Sequence, residues 1–486
     1  MSGPFPTIRE TNPMKLVDKF YINGQWVQPA PGVTQADLID PATESLAGKV
    51  AMGTAADVDQ AVAAARAAFP AWSASTREER IALLERIMAA YQARLGDLAQ
   101  AVRQEIGAPI TVATNLQAAI GLAQLQATVQ ALREFEFESE RGKSYILREA
   151  IGVAALITPW NWPLNQIAAK VAPALAAGCT VVLKPSEIAP LDAQIFAEIM
   201  DAAGTPPGVF NMVFGEGRVV GTALSAHRDV DMVSITGSTR AGVEVAVSAA
   251  PTVKRVTQEL GGKSPLVILD DADLQAAVTS GVAHVMLNSG QTCIAPTRML
   301  VPRAQYEQAV QIAAAVANAV TVGDPADAQT RMGPISNRAQ YEKVQRLIGI
   351  GIEEGARVAA GGPGRPDGLA QGFYARPTIF ADVRNDMTIA REEIFGPVLC
   401  MLPYDTEEEA VAIANDTEFG LAAYIASSNP ERTRKLAARL RAGSVRINGA
   451  TMDISVPFGG YKTSGNGREF GPEGIAEYLE TKTVTA

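Results

Sequence analysis

Cysteine and histidine are nearly missing from this chain of 486 residues, which holds three of the first and two of the second. An odd number of cysteines without CxxC spacing argues against both a disulfide framework and a structural zinc site. His227 and His284 each stand in an ordinary helix-like context, so a Cys-His or Ser-His-Asp hydrolase and a His-rich metal centre lack raw material, and no metal is expected. No apolar run approaches the ~20 residues of a membrane span; Ala150 to Ile157 is short and ends at Thr158-Pro159. The first twenty residues carry Arg9, Glu10, Lys15, Asp18 and Lys19 and no apolar core of signal-peptide length, so a cytoplasmic protein without a membrane partner is expected. Positive charge is neither in excess nor clustered: the formal net charge is −10, with Lys and Arg scattered, and no nucleic-acid footprint is visible.

What the chain does have is length and apolar content, 47% hydrophobic, enough for two or three domains each with a buried core. Phe20-Tyr21-Ile22 and Gln25-Trp26-Val27 flank Asn23-Gly24, the dipeptide of a tight β-hairpin. Helical spacing follows from Ala55 to Phe69, Ser75 with Glu78 reads as a capping box, and a long helix is expected from about Val112 to Phe135. From Ile151 short apolar strands alternate with helices: Val153 to Ile157, Thr180 to Leu183, Val209 to Val213 and Met232 to Ile235, with helices from Pro163 and Pro190. That alternation predicts parallel strands with right-handed crossovers, an open α/β sheet suited to a nucleotide. A second alternation starts at Leu266 and continues to about Val445. Between the halves, Glu134 to Lys143 is charged and apolar-poor, whereas Ser144 to Leu147 and Tyr478 to Val484 are strand-like; Gly361 to Gly372 reads as a surface loop.

Three separated segments carry candidate chemistry. In Asn288-Ser289-Gly290-Gln291-Thr292-Cys293-Ile294-Ala295-Pro296 a thiol stands between a Gly turn and a Pro, on irregular and therefore positioned backbone. Composition alone would make it another buried cysteine, as Cys179 and Cys400 are expected to be, but this neighbourhood fits a nucleophile. Glu259 precedes Leu260-Gly261-Gly262, where glycines let backbone pass close to something; it is either a surface glutamate or a buried general base. Asn161, in Pro159-Trp160-Asn161-Trp162-Pro163, ends a strand and can cap the next helix, face a developing oxyanion with the Cys293 amide, or do both. Lys184 and Glu187 in KPSE end another strand, and a carboxylate there suits ribose hydroxyls and repels a 2′-phosphate, so NAD is expected over NADP. Gly237-Ser238 opens a helix where amides can receive a pyrophosphate, and the glycine run around Gly217 is a weaker signal of the same kind.

Taken together, PWNWP, KPSE, TGST, ELGGKSP, GQTC, EEIFGP and PFGGYKTSGNGRE resemble the motifs of the aldehyde dehydrogenase superfamily, in order and over nearly the whole sequence. The resemblance implies Cys293 as nucleophile, Glu259 as general base and Asn161 as oxyanion donor, with Lys170 and Glu469 as a proton relay behind the base. It implies cofactor contacts at Ile157, Thr158, Pro159, Trp160, Lys184, Glu187, Gly217, Gly237, Ser238, Leu260, Glu393 and Phe395. A substrate tunnel would draw on Trp162, Gln166, Thr292, Ile294 and Asp453, with Trp162 suiting apolar or aromatic aldehydes. The implied fold is α/β: a Rossmann-type NAD-binding domain (1–130 and 150–258), an α/β catalytic domain (259–445), a small β oligomerisation arm (131–149 and 470–486), and a return to the cofactor domain and tunnel (446–469). The implied reaction turns a small-molecule aldehyde into a carboxylic acid through a Cys thioester that a Glu-activated water hydrolyses. The implied assembly is a homodimer or homotetramer. Two other readings stay open on the same fold, a non-catalytic structural or ligand-binding member and a coenzyme A-acylating dehydrogenase, and thiol esterase chemistry is possible as a side activity.

Overall fold

The computed structural model describes residues 15–485. Residues 1–14, which open the expected first domain and include Arg9 and Glu10, and residue 486 lie outside the described residues. The Asn23-Gly24 turn joins strands Phe20–Ile22 and Gln25–Val27, with φ of 53° and 73° at its two central residues, the left-handed pair that this hairpin turn requires. The helix from Ala55 extends to Ser73, and the next starts one residue later than the Ser75/Glu78 reading. Thr76 is its N-cap, accepting from Glu79 N (3.2 Å) while the Glu79 carboxylate accepts from Thr76 N (2.7 Å). Ser75 is instead used by Arg80, whose Nε donates to its Oγ. The expected long helix is interrupted: Ile110–Val112 and Ala119–Glu134 are α-helical, and Ala113–Ala118 between them is a π-helical turn.

An eight-stranded sheet runs in the order Gly465–Asn466, Arg255–Glu259, Met232–Thr236, Val153–Ile157, Thr180–Lys184, Phe210–Met212, Phe20–Ile22, Gln25–Val27. Its five strands from Arg255–Glu259 to Phe210–Met212 are parallel, and antiparallel strands close both edges. A seven-stranded sheet runs Arg357–Ala360, Thr378–Ala381, Val398–Tyr404, Arg298–Pro302, Pro265–Ile268, Ala422–Ala426, Ser444–Ile447, parallel except at its first pair. Side chains alternate across it. Leu266, Met299, Leu399 and Met401 pack on one face, and Val267, Leu300, Val398, Cys400 and Leu402 on the other. Burial on both faces is why these strands read as continuous apolar runs rather than alternating ones.

A separate antiparallel sheet joins Leu479–Thr485, Ser144–Ala150 and Glu138–Arg141, so the charged stretch after Glu134 contains a strand that its composition did not announce. Glu259 ends a strand of the eight-stranded sheet, and Ser444–Ile447 carries the seven-stranded sheet past 445. Ile475 and Tyr478 pack into the core of the eight-stranded half. A third small sheet pairs Lys15–Val17, Leu46–Met52 and Thr34–Ile39.

Candidate active site

Strand register builds one side of the site. Ile157 pairs with Lys184 and with Ile235, and Thr236 pairs with Glu259. Lys184, Ile157, Thr236 and Glu259 therefore end four neighbouring parallel strands on one rim, the carboxyl edge at which open α/β sheets bind ligands. Beyond the rim, Thr158 to Trp162 bends into helix Pro163–Ala177, and Gly237-Ser238 leads into helix Thr239–Ala249, which Ser238 caps by accepting from Ala241 N (3.2 Å).

Two clefts open along this rim. One, of about 190 Å³, is lined by Pro159, Trp160, Asn161, Gly237, Ser238, Leu260, Cys293, Glu393 and Phe395, joined by Thr236, Gly261, Gln340 and Lys343. The other, of about 540 Å³, is lined by Ile157, Glu187 and Gly217 together with Arg218 and Arg240. Thr158 is buried, and neither its Oγ1 nor that of Thr236 has a hydrogen-bond partner. Lys184 is buried with Nζ 3.0 Å from the Glu187 carboxylate. Glu393 accepts from Gly262 N (2.8 Å). Phe395, at φ 57°, is held by Gln340 Nε2 donating to the Ile394 and Phe395 carbonyls (2.9 and 2.8 Å) and by edge contact with Trp160. Gln340 and Lys343 went unnoticed in the sequence because their helix, Arg338–Glu353, reads as an ordinary amphipathic one.

Cys293 is the half-buried residue of an otherwise buried loop. The backbone before it is unusual: Asn288, Ser289 and Gly290 take φ of 52°, 55° and 74° in succession. Asn161 does not cap the helix that follows it. Its Nδ2 donates to Gln291 O (3.0 Å), while its own carbonyl accepts from Asn288 Nδ2 (2.8 Å) and from Gln117 Nε2 (3.1 Å). Gly262 passes so near the loop that a Cβ there would sit 2.4 Å from the Cys293 carbonyl, which only glycine allows. Burial pushes the Cys293 thiol up to about 12, and the carboxylates of Glu393, Glu259 and Glu469 add to the effect.

Glu259 is buried, and neither carboxylate oxygen has a hydrogen-bond partner. Burial holds its carboxyl well above the usual range, the Glu469 carboxylate raises it further, and Lys170 and Arg468 oppose both. Lys170 is fully buried, paired with Glu469, and donates to Ser234 Oγ (3.1 Å).

Trp162 Nε1 donates to Thr292 Oγ1 (2.9 Å), and Gln166 is buried with its Oε1 unpartnered. Cys293 packs on an apolar cluster that includes Ala169, Ile294, Phe458 and Phe470, with Met452 and Ile454 against it. Asp453, expected to add polarity to the tunnel, is exposed, and its carboxylate accepts from Ser455 N and Oγ (2.9 and 2.6 Å) within its own turn. Its neighbours Met452 and Ile454 are half-buried against that cluster.

Comparison with known proteins decides the family. The family model described as "Aldehyde dehydrogenase family" matches residues 26–484. The chain belongs to the aldehyde dehydrogenase family. It is an oxidoreductase that oxidises aldehydes, with the α/β fold of that family. It is 54% identical over 467 residues to a 3-succinoylsemialdehyde-pyridine dehydrogenase of a Pseudomonas species, over 96% of this chain and 98% of the relative. Among solved structures, it is similar to aldehyde dehydrogenase C of Pseudomonas syringae, a cysteine-to-alanine variant complexed with NAD+ and octanal (53% identity, TM-score 0.95, 96% of both chains). It is also similar to a Mycobacterium tuberculosis aldehyde dehydrogenase complexed with NAD+ (41% identity, TM-score 0.95, 97% of this chain and 99% of that one).

Proposed function

We propose that this aldehyde dehydrogenase converts apolar aldehydes, aliphatic or ring-bearing, to carboxylic acids with NAD, and that Cys293, Asn161 and Glu259 carry the chemistry. The observation behind this reading is the meeting of Cys293, Asn161 and Glu393 in one cleft, with a buried, partnerless Glu259 carboxylate whose charge helps to raise the thiol. The thiol starts protonated, so its proton leaves to a base, the role we give to Glu259, as sulfur adds to the aldehyde carbon. The alkoxide so formed is met by the second Asn161 Nδ2–H and the Cys293 amide, an arrangement worth about 3 kcal/mol of the barrier. NAD, when bound, accepts the hydride that the carbon expels, leaving a thioester on Cys293. Lys170 and Glu469 relay the thiol's proton away from Glu259, which then takes a proton from water; hydroxide adds to the thioester, the C–S bond breaks, the carboxylic acid leaves, and Glu259 returns its proton to the Cys293 sulfur.

The residues fit the cofactor. Ser238 at a helix N-terminus suits the pyrophosphate, Lys184 and Glu187 suit the adenosine ribose, and Glu393 suits the nicotinamide ribose. A carboxylate at 187 in the larger cleft supports NAD over NADP. Glu259 supports water rather than coenzyme A as acyl acceptor. The apolar cluster around Cys293 supports an apolar substrate, in keeping with the octanal bound by the Pseudomonas syringae relative and the pyridine in the name of the other. We assign the eight-stranded half to the cofactor, the seven-stranded half to catalysis, and the sheet of Glu138–Arg141, Ser144–Ala150 and Leu479–Thr485 to a homodimer or homotetramer contact. No helix among the described residues is long and apolar enough to cross a membrane. Free Cys179, Cys293 and Cys400 suit a reducing cytoplasm.

The test is NADH formation with octanal, benzaldehyde and a carboxylated semialdehyde, for the wild type and Cys293→Ala. The expected result is preference for the first two and loss of at least about 10⁴-fold in the variant with NAD binding kept. NADH formation that survives the substitution would overturn the assignment.

A further inference from the structure

The nucleophile loop is strained, and something must hold it. Three successive left-handed residues, two of them not glycine, lead from helix Leu274–Met286 into Gln291-Thr292-Cys293. The loop is fixed from one side by Gln291, whose Nε2 donates to Asn288 O (3.0 Å) and whose Oε1 accepts from Ser336 N (2.9 Å). On the other side stands Gln117. It lies in the Ala113–Ala118 π-turn, is wholly buried, and its Nε2 donates both to Asn161 O (3.1 Å) and to Asn288 Oδ1 (3.3 Å). Asn288 Nδ2 in turn donates to Asn161 O and to Gln291 O (2.8 and 3.2 Å). Gln117 Oε1 has no protein partner, so the polar anchoring of this amide consists of its two donations to the site.

Resting on the reading of Asn161 as oxyanion donor and Cys293 as nucleophile, we propose that Gln117 is a positioning residue that locks Asn161 to the strained Asn288 turn. The lock fixes the distance between the oxyanion donor and the sulfur. Each side-chain amide in it can satisfy two acceptors at once, which a hydroxyl or an ammonium point charge would do with less directional control. The π-turn explains the placement. A π-turn widens the helix by one residue, and such turns recur at functional sites because they aim a side chain that regular helix would carry elsewhere. Here the widened turn delivers a polar side chain into a wholly buried position beside the nucleophile loop, where an apolar residue would satisfy the helix equally well.

The experiment compares wild type, Gln117→Leu, Gln117→Glu and Asn161→Ala. Its readouts are the single-turnover rate of NADH formation with octanal between about pH 5.5 and 9, NAD affinity and melting temperature. The expected result is a single-turnover rate lower by about 10- to 100-fold in Gln117→Leu, with NAD affinity unchanged. Gln117→Glu should be slowed towards alkaline pH and recover as pH falls, because burial beside two acceptors favours the protonated carboxyl, which can donate, whereas a carboxylate cannot. That recovery has no counterpart in a purely structural role, and the glutamate variant, equal in size, keeps the test decisive should the leucine variant not fold. A slowed Asn161→Ala beside an unslowed Gln117→Glu with no pH-dependent recovery would overturn this inference alone. An unslowed Asn161→Ala would overturn the oxyanion reading and this inference with it.

Discussion

Two pairs of acidic side chains are buried in this molecule, and their surroundings differ. Glu105 and Asp192 meet where helix Leu95–Ile106 packs on the start of helix Pro190–Ala202, both without solvent exposure. The Glu105 oxygens accept from Leu191 N (2.7 Å) and Asp192 N (3.2 Å), first-turn amides that need an acceptor. No cation acts on either group; burial raises both carboxyls, Asp192 to about 8, and the pair retains a proton at neutral pH. Glu259 and Glu469 are also close neighbours in the interior, but the fully buried Lys170 pairs with Glu469, and the Glu259 oxygens have no donor at all. A raised carboxyl therefore marks burial in both places. What separates the two pairs is the buried lysine that takes up the second charge beside Glu259, the feature that the role we propose for it as a base needs.

The sharpest way to break this comparison is Glu259→Gln. The expected outcome is a fall in steady-state turnover of at least about 100-fold, with the first NADH per subunit still formed from a slower acylation. Stopped-flow traces check it, and full turnover in the variant would make Glu259 another structural acid. Lys170→Met comes next. Lys170 lowers the Glu259 carboxyl, and the base acts as carboxylate, so the limb of turnover that rises with pH should move to higher pH, with about a tenfold loss near neutrality. A pH profile of turnover that stays in place would separate the lysine from the base.

The difference between the two pairs was only half legible beforehand. Glu259 stood out because Gly261 and Gly262 follow it, and the structure gives those glycines a physical reason in the close pass of Gly262 by Cys293. Glu105 and Asp192 did not stand out, since each sits in an ordinary amphipathic helix and long-range packing alone makes them a pair. The alternating strands and the Asn-Gly turn were readable because local periodicity and turn chemistry agree with the final packing. The π-turn was not, because Ala113 to Ala118 keeps plain helical spacing, and neither was the Glu138–Arg141 strand, whose pairing with Ser144–Ala150 is carried by backbone rather than by apolar side chains. The surroundings of Asp453 were not readable because its partners are the N–H and Oγ of Ser455 in a local turn that no periodicity signals.

The smallest expected effect belongs to the structural pair, and it appears in stability rather than rate. In the folded chain Asp192 holds its proton up to about 8, whereas in the unfolded chain an aspartate releases it near its ordinary value of about 4. The native state thus binds the extra proton between those values. Its stabilising share is complete below the lower one and is lost as pH rises towards the upper one. Asp192→Asn replaces the protonated acid with a neutral group of the same shape and removes its share of that dependence, leaving the share of Glu105, which burial also raises. The melting temperature of the wild type should therefore drop between about pH 5 and 9 by about 3 °C more than that of the variant, while turnover with octanal at neutral pH stays within about twofold. Parallel melting curves over that range would show that Glu105 and Asp192 share no proton, and a large loss of turnover would mean that the anchor of helix Pro190–Ala202 reaches the cofactor cleft through Lys184 and Glu187 after all.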